Sequence, residues 1–123
     1  RSATTLSLVN EKKEFVGGII YPGVITAYDS LIKATALLES AKLEIPEDII
    51  GRDTMGSIQS GMVYGTAGAI NGMVKEIFKK YGTMPVVVTG GIARHIAPYL
   101  DNVKYDENLL LEGLKFIYER NQE

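Results

Sequence analysis

The sequence predicts one α/β domain, and three features of it point that way. Two short segments with period-two patterning open the chain, and an apolar helical stripe runs from about Thr54 to Lys80. A wholly apolar run, Met84–Val88, then breaks directly into Thr89-Gly90-Gly91. At 123 residues the chain is long enough to bury a single core.

Taken in order, Thr4 to Asn10 reads as a strand, with Leu6 and Leu8 alternating among β-branched neighbours. Glu11-Lys12-Lys13 is a polar turn, and Glu14 to Ile20 returns as the second strand of an antiparallel hairpin. Gly17-Gly18 permits a bulge or a close backbone approach, and Tyr21-Pro22-Gly23 ends the strand. Ile25, Tyr28, Leu31, Ile32 and Leu38 keep helical spacing, so a helix is expected from about Ile25 to Glu39. After a connector around Pro46, a longer helix runs from about Thr54 to Lys80, capped by Asp53 or Thr54.

Gly61, Gly65, Gly68 and Gly72 lie along that helix. Each costs roughly 0.5–1 kcal/mol relative to alanine, which points to a packing requirement where another backbone comes close. Met84–Val88 reads as a buried, parallel strand. A helix from about Ile92 to Leu100, a short strand Val103–Tyr105 and an amphipathic helix Asn108–Arg120 complete the order. There is no repeat, linker or low-complexity tract.

Composition narrows the function. Net charge is −2 with no run of lysine or arginine, which argues against a nucleic-acid or anionic-membrane footprint. No apolar stretch approaches the roughly 20 residues needed to span a bilayer. Cysteine is absent, which removes disulfides and thiolate metal sites and is compatible with the cytoplasm.

The strongest local signal for chemistry is the strand that ends in Thr89-Gly90-Gly91. Glycines there let backbone amides approach a nucleotide, and ligands of open α/β sheets sit at the carboxyl ends of strands. A tight turn with no ligand reads equally well from these three letters. Ala3-Thr4-Thr5 offers hydroxyls at the start of the hairpin, although threonine also favours strands for their own sake. Gly51-Arg52-Asp53-Thr54 sets a cation, a carboxylate and a hydroxyl at the start of the long helix, where a cap with a solvated arginine is the plainer reading. His95, the single histidine, has no carboxylate or serine at a recognisable spacing. Metal-ligand clusters, a Walker loop and a nucleophile elbow are absent.

Together the blocks resemble the second half of type III pantothenate kinases, which include the Bvg accessory factor-like proteins. The resemblance spans essentially residues 1–123. It rests on Ala3-Thr4-Thr5, Gly17-Gly18-Ile19-Ile20-Tyr21-Pro22-Gly23, Ile50-Gly51-Arg52-Asp53-Thr54, Gln59-Ser60-Gly61-Met62-Val63-Tyr64-Gly65 and Val88-Thr89-Gly90-Gly91. Leu111-Glu112-Gly113-Leu114 with Ile117-Tyr118-Glu119-Arg120-Asn121 completes it.

The resemblance implies an actin-like, ribonuclease H-like ATPase domain of the superfamily that unites acetate kinase, sugar kinases, heat-shock chaperones and actin (ASKHA). That domain has a mixed sheet with helices on both faces. The resemblance also implies transfer of the γ-phosphoryl group of ATP to pantothenate, giving 4′-phosphopantothenate, the first step of coenzyme A synthesis. The enzyme is expected to be a cytoplasmic homodimer that uses Mg²⁺ and a monovalent cation, K⁺ or NH₄⁺. By correspondence, Ser2, Ala3, Thr4 and Thr5 end the second phosphate motif, and Thr89, Gly90 and Gly91 form the adenosine turn. Thr54 matches a pantothenate contact that reaches the active site of the dimer mate.

The sequence departs from the family pattern in three places. Arg1-Ser2 stands where the family has Gly-Thr, without the preceding cation-binding aspartate. Ala34–Glu39 differs from the usual Arg-Ala-Ala-Lys-Leu-Pro. The first phosphate loop and the catalytic aspartate of Gly-Ala-Asp-Arg are not in this chain, so no catalytic and no metal-binding residue is assigned to it. The first strand of the domain is also missing from this sequence, and the expectation is that another polypeptide supplies it. Two other functions stay open: a non-catalytic binding or regulatory module on the same fold, and another small-molecule kinase of the superfamily.

Overall fold

The computed structural model describes residues 3–34, 43–90 and 93–106, with the backbone alone at 93 and 94. Strands β1, Ala3–Val9, and β2, Phe15–Pro22, form the expected antiparallel hairpin. Its turn is built on Asn10, whose side-chain oxygen accepts the Lys12 and Glu14 amides at 2.9 Å each. Lys13 takes a left-handed φ of 67°. Asparagine side chains commonly satisfy turn amides in this way. The register slips between Leu8 and Val9, opposite Gly17. A Cβ on Gly18 would sit 2.6 Å from the Leu6 carbonyl oxygen, so the close approach expected at Gly17-Gly18 is present.

Helix α1, Val24–Ala34, buries Val24, Tyr28 and Ile32 on an i, i+4, i+8 stripe. Its expected continuation to Glu39 lies outside the described residues. Helix α2, Thr54–Tyr81, is capped by Asp53, whose Oδ1 accepts the Gly56 amide at 2.7 Å. At the other end Gly82, with φ 90°, donates its amide to the Phe78 carbonyl, and Lys79 and Lys80 stand in the last turn. Both placements suit the helix dipole and its unpaired carbonyls. Tyr28, Ile32 and Ile58 form one small core with Met55 and Met62, and the Tyr28 hydroxyl reaches the Met55 sulfur at 3.3 Å.

Strand β3, Val86–Val88, pairs in parallel with β4, Val103–Tyr105. β3 is shorter than the expected run Met84–Val88, because Pro85 has no amide to give a ladder. The helix expected over Ile92–Leu100 is interrupted. Helix α3 spans Ala93–Ile96 and gives way to a 3₁₀ turn, Ala97–Tyr99, where Pro98 cannot continue α-helical bonding. Val63, Ala67, Ile96 and Leu100 form the second core, against Val88 and Val103. The expected helix Asn108–Arg120 lies outside the described residues.

Of the expected mixed sheet, the described residues form two separate two-stranded sheets, β1–β2 and β3–β4. A ladder requires strands about 4.8 Å apart, and no described strand lies between β1 and β3 to join them. One expectation needs correction: among the described residues, the glycines of α2 meet no close neighbour. A Cβ added at Gly61, Gly65, Gly68 or Gly72 meets nothing within 4 Å, because the four share an exposed helix face. Gly68 and Gly72 instead line an open, largely apolar groove of about 490 Å³ facing Ile19 and Tyr21 of β2.

The glycine with a strict local requirement is Gly51, where a Cβ would overlap the backbone of Gly56 and Ser57. Gly51→Ala is therefore expected to destabilise the chain by about 1–3 kcal/mol, as overpacking does. Gly65→Ala, which meets open space, is expected to add about 0.5–1 kcal/mol through helix propensity. Thermal melts of the two variants check the contrast. Equal shifts would contradict it.

Candidate functional site

The first candidate place is the end of β3. Strand β3 ends at Val88, which packs against the second core, and the chain then turns through Thr89 and Gly90. Gly90 has φ 113°, a conformation that side chains disfavour and glycine tolerates. The Thr89 hydroxyl is buried without a hydrogen-bond partner among the described residues. A buried hydroxyl left alone costs roughly 1–3 kcal/mol, so it is a ready donor and acceptor for an incoming polar group.

β4 holds this turn from its far side. The Asp106 amide donates to the Val88 carbonyl at 2.8 Å, and the Tyr105 hydroxyl donates to the Gly90 carbonyl at 3.0 Å. The corner leading to β4 is in turn tied to α2 by Asn71. Its side chain donates to the Tyr99 carbonyl and accepts the Asp101 amide, both at 3.0 Å. Beside it Tyr99 meets Tyr64 edge to face, ring centroids 5.1 Å apart. Desolvation first, and the Tyr64 phenol next, hold the Tyr99 hydroxyl above its usual range. Tyr105 and Asn71 gave no signal in the sequence, because their partners lie 15 to 30 residues away.

The second place is the start of α2. Leu31, Gly51, Arg52, Asp53, Thr54 and Ser57 border an open cleft of about 560 Å³. Asp53 is occupied as the helix cap, and the exposed Arg52 guanidinium lies 3.7 Å from Asp48. The plainer reading of those two residues therefore holds. Thr54 is exposed at the cleft. Ser60 anchors the preceding loop by donating to the Ile49 carbonyl.

The two places are separate. Val88 packs against the second core, whose α2 members Val63 and Ala67 lie nine and thirteen residues beyond Thr54 along the helix. Ala3, Thr4 and Thr5 stand at the start of β1, and the Thr4 hydroxyl donates to the Pro22 carbonyl at 3.4 Å. Among the described residues no ladder joins them to the β3 turn. Ser2 and Gly91 lie outside the described residues. His95 is exposed on α3. No three His, Cys, Asp or Glu side chains among the described residues are grouped to hold a metal, and no described helix is long and apolar enough to cross a membrane.

The profile of the type III pantothenate kinase family matches residues 2–76. The chain belongs to that family. A type III pantothenate kinase of Exiguobacterium sp. is 38% identical over 122 residues, covering 98% of this chain and 48% of the relative. One of Brevibacillus brevis is 39% identical over 123 residues, with the same coverage. The chain thus spans about half the length of the curated relatives it matches, and the match falls on their carboxyl-terminal half. Among solved structures, a conserved candidate Baf family transcriptional activator from Campylobacter jejuni aligns with a TM-score of 0.58 at 25% identity. That alignment covers 98% of this chain and 55% of the other. In this member of the type III pantothenate kinase family, the block Thr89-Gly90 is the turn at the end of β3, and the block Gly51–Thr54 is the capped start of α2.

Proposed function

We propose that this chain supplies the adenosine-binding and dimer-forming half of a type III pantothenate kinase. The observation that carries the reading is the β3 turn, where a left-handed glycine stands beside a buried threonine hydroxyl that has no hydrogen-bond partner among the described residues. Thr89, Gly90 and Gly91 receive the adenosine of ATP, and Ser2, Ala3, Thr4 and Thr5 border its phosphates. The reaction joins the primary hydroxyl oxygen of pantothenate to the γ-phosphorus and breaks the bond to the β,γ-bridging oxygen, releasing ADP. The hydroxyl proton passes to a base that the other half of the enzyme contributes. This chain's part is positioning, which is most of what phosphoryl transfer asks of a protein.

Mg²⁺ and K⁺ or NH₄⁺ belong to the same proposal. The described residues do not fit a metal site, having no cluster of acidic or imidazole groups, so no step here runs through these ions. The fold reading is the actin-like ASKHA domain, in which a strand from the amino-terminal half bridges the free sides of β1 and β3 and merges the two small sheets. The exposed glycine face of α2 is available to a second copy, and Thr54, exposed at the start of that helix, is free to serve the mate's pantothenate site. A cytoplasmic location accompanies these substrates.

A regulatory, non-catalytic role has one point in its favour, the description of the Campylobacter jejuni neighbour. The net charge of −2, without a basic run, opposes DNA binding. The test is to assemble the chain with the amino-terminal half of the Exiguobacterium relative and assay ATP-dependent phosphorylation. Turnover of pantothenate, with none of glucose or N-acetylmannosamine, is the expected result. Turnover of a sugar alone, or of nothing, would overturn the reading.

A further inference from the structure

We infer that Tyr105 is a positioning residue for nucleotide binding: its hydroxyl sets the Thr89-Gly90 turn in the conformation that receives ATP. The inference rests on the nucleotide reading of that turn given above.

The Tyr105 hydroxyl donates to the Gly90 carbonyl at 3.0 Å from a half-buried position. One residue on, the Asp106 amide holds the Val88 carbonyl at 2.8 Å. Val88 and Tyr105 are themselves ladder partners. The end of β4 therefore grips the carbonyls on both sides of Thr89, the residue whose hydroxyl is buried with no partner among the described residues. The second grip differs in kind from the first. The Asp106 bond is a backbone ladder bond that any residue at that position would make, whereas the bond to Gly90 depends on one side-chain oxygen.

Gly90 most needs such a tie. With no Cβ it moves freely between positive and negative φ, and fixing one residue's backbone costs roughly 1–2 kcal/mol of conformational entropy. Because a peptide is planar, a carbonyl fixed by a hydroxyl fixes the whole peptide that follows Gly90. Tyr105 thus settles that cost during folding rather than when the ligand arrives, which is how preorganisation raises affinity. The β3–β4 ladder is made by backbone groups alone, so removing the hydroxyl leaves it in place.

Tyr105→Phe deletes that oxygen alone. In the assembly that phosphorylates pantothenate, the variant is expected to weaken ATP about three- to tenfold, the effect of one net hydrogen bond. This would be seen as a rise in KM for ATP, with kcat and the KM for pantothenate unchanged. Tyr99→Phe, which alters a phenol paired with Tyr64 rather than with Gly90, is the control and should leave KM for ATP as it is. A purely structural role would lower the melting temperature of Tyr105→Phe and spare KM for ATP, and that result overturns the inference. So does a matching rise in Tyr99→Phe. If the unaltered assembly binds no ATP in equilibrium titration, the nucleotide reading fails, and this inference fails with it. If unaltered and Tyr105→Phe assemblies bind ATP equally, the positioning role alone fails.

Discussion

Replacing Gly90 with valine is expected to raise the KM for ATP at least about tenfold in the assembled kinase while subunit association stays intact. Gly90 sits at φ 113°, and a β-branched residue held there carries roughly 1–3 kcal/mol of strain. The turn is left two ways to relax. It can twist toward negative φ, pulling its carbonyl from Tyr105 and reorienting Thr89, or it can keep its shape at a cost in stability. The first path removes the surface proposed to face adenosine, and about 1.4 kcal/mol is enough for a tenfold effect. Association should not change, because the exposed face of α2 is a different surface. Steady-state kinetics with sedimentation of the same sample checks both halves of this statement. Unaltered ATP affinity in Gly90→Val would take the turn out of the site.

Thr54→Ala is expected to raise the KM for pantothenate about tenfold and to leave that for ATP within about twofold, on the scale of one ligand group left unpaired. The hydroxyl can be spent on a ligand because the helix start does not use it: Asp53 caps α2, and Thr54 stands exposed at the cleft. For the same reason the melting temperature should hold, and Thr54→Ser should restore most of the lost affinity. Equal rises in both KM values would argue that the substitution disturbs the helix start rather than a pantothenate contact.

The sequence was most informative where structure is local. Alternation at Leu6 and Leu8, the Asp53 cap and the apolar run into Thr89 each describe a few neighbouring residues, and each element stands within a residue or two of its expected place. It was less informative where one residue outweighed a pattern. Pro98 splits a helix that apolar spacing draws as continuous, and Pro85 trims β3. Contacts across the fold were not legible at all. Nothing near Asn71 announces that it ties residues 99 and 101, or near Tyr105 that it holds Gly90. The α2 glycines show a further limit. Their cost in a helix signals a close neighbour, and periodicity cannot say whether that neighbour is in the same chain.

The proposed kinase function depends on the two small sheets being parts of one. β1 and β3 each carry a ladder on a single side, so their other amides face no described strand. A strand contributed by the rest of the kinase would pair both and bring the β1 threonines to the same sheet as the Thr89 turn. Amide hydrogen exchange on the chain, alone and assembled with the amino-terminal half, measures this directly. The outward amides of Ala3–Val9 and Val86–Val88 are expected to slow by at least about a hundredfold on assembly, together with the onset of pantothenate phosphorylation. Full activity with those amides still exchanging as in the isolated chain would contradict it.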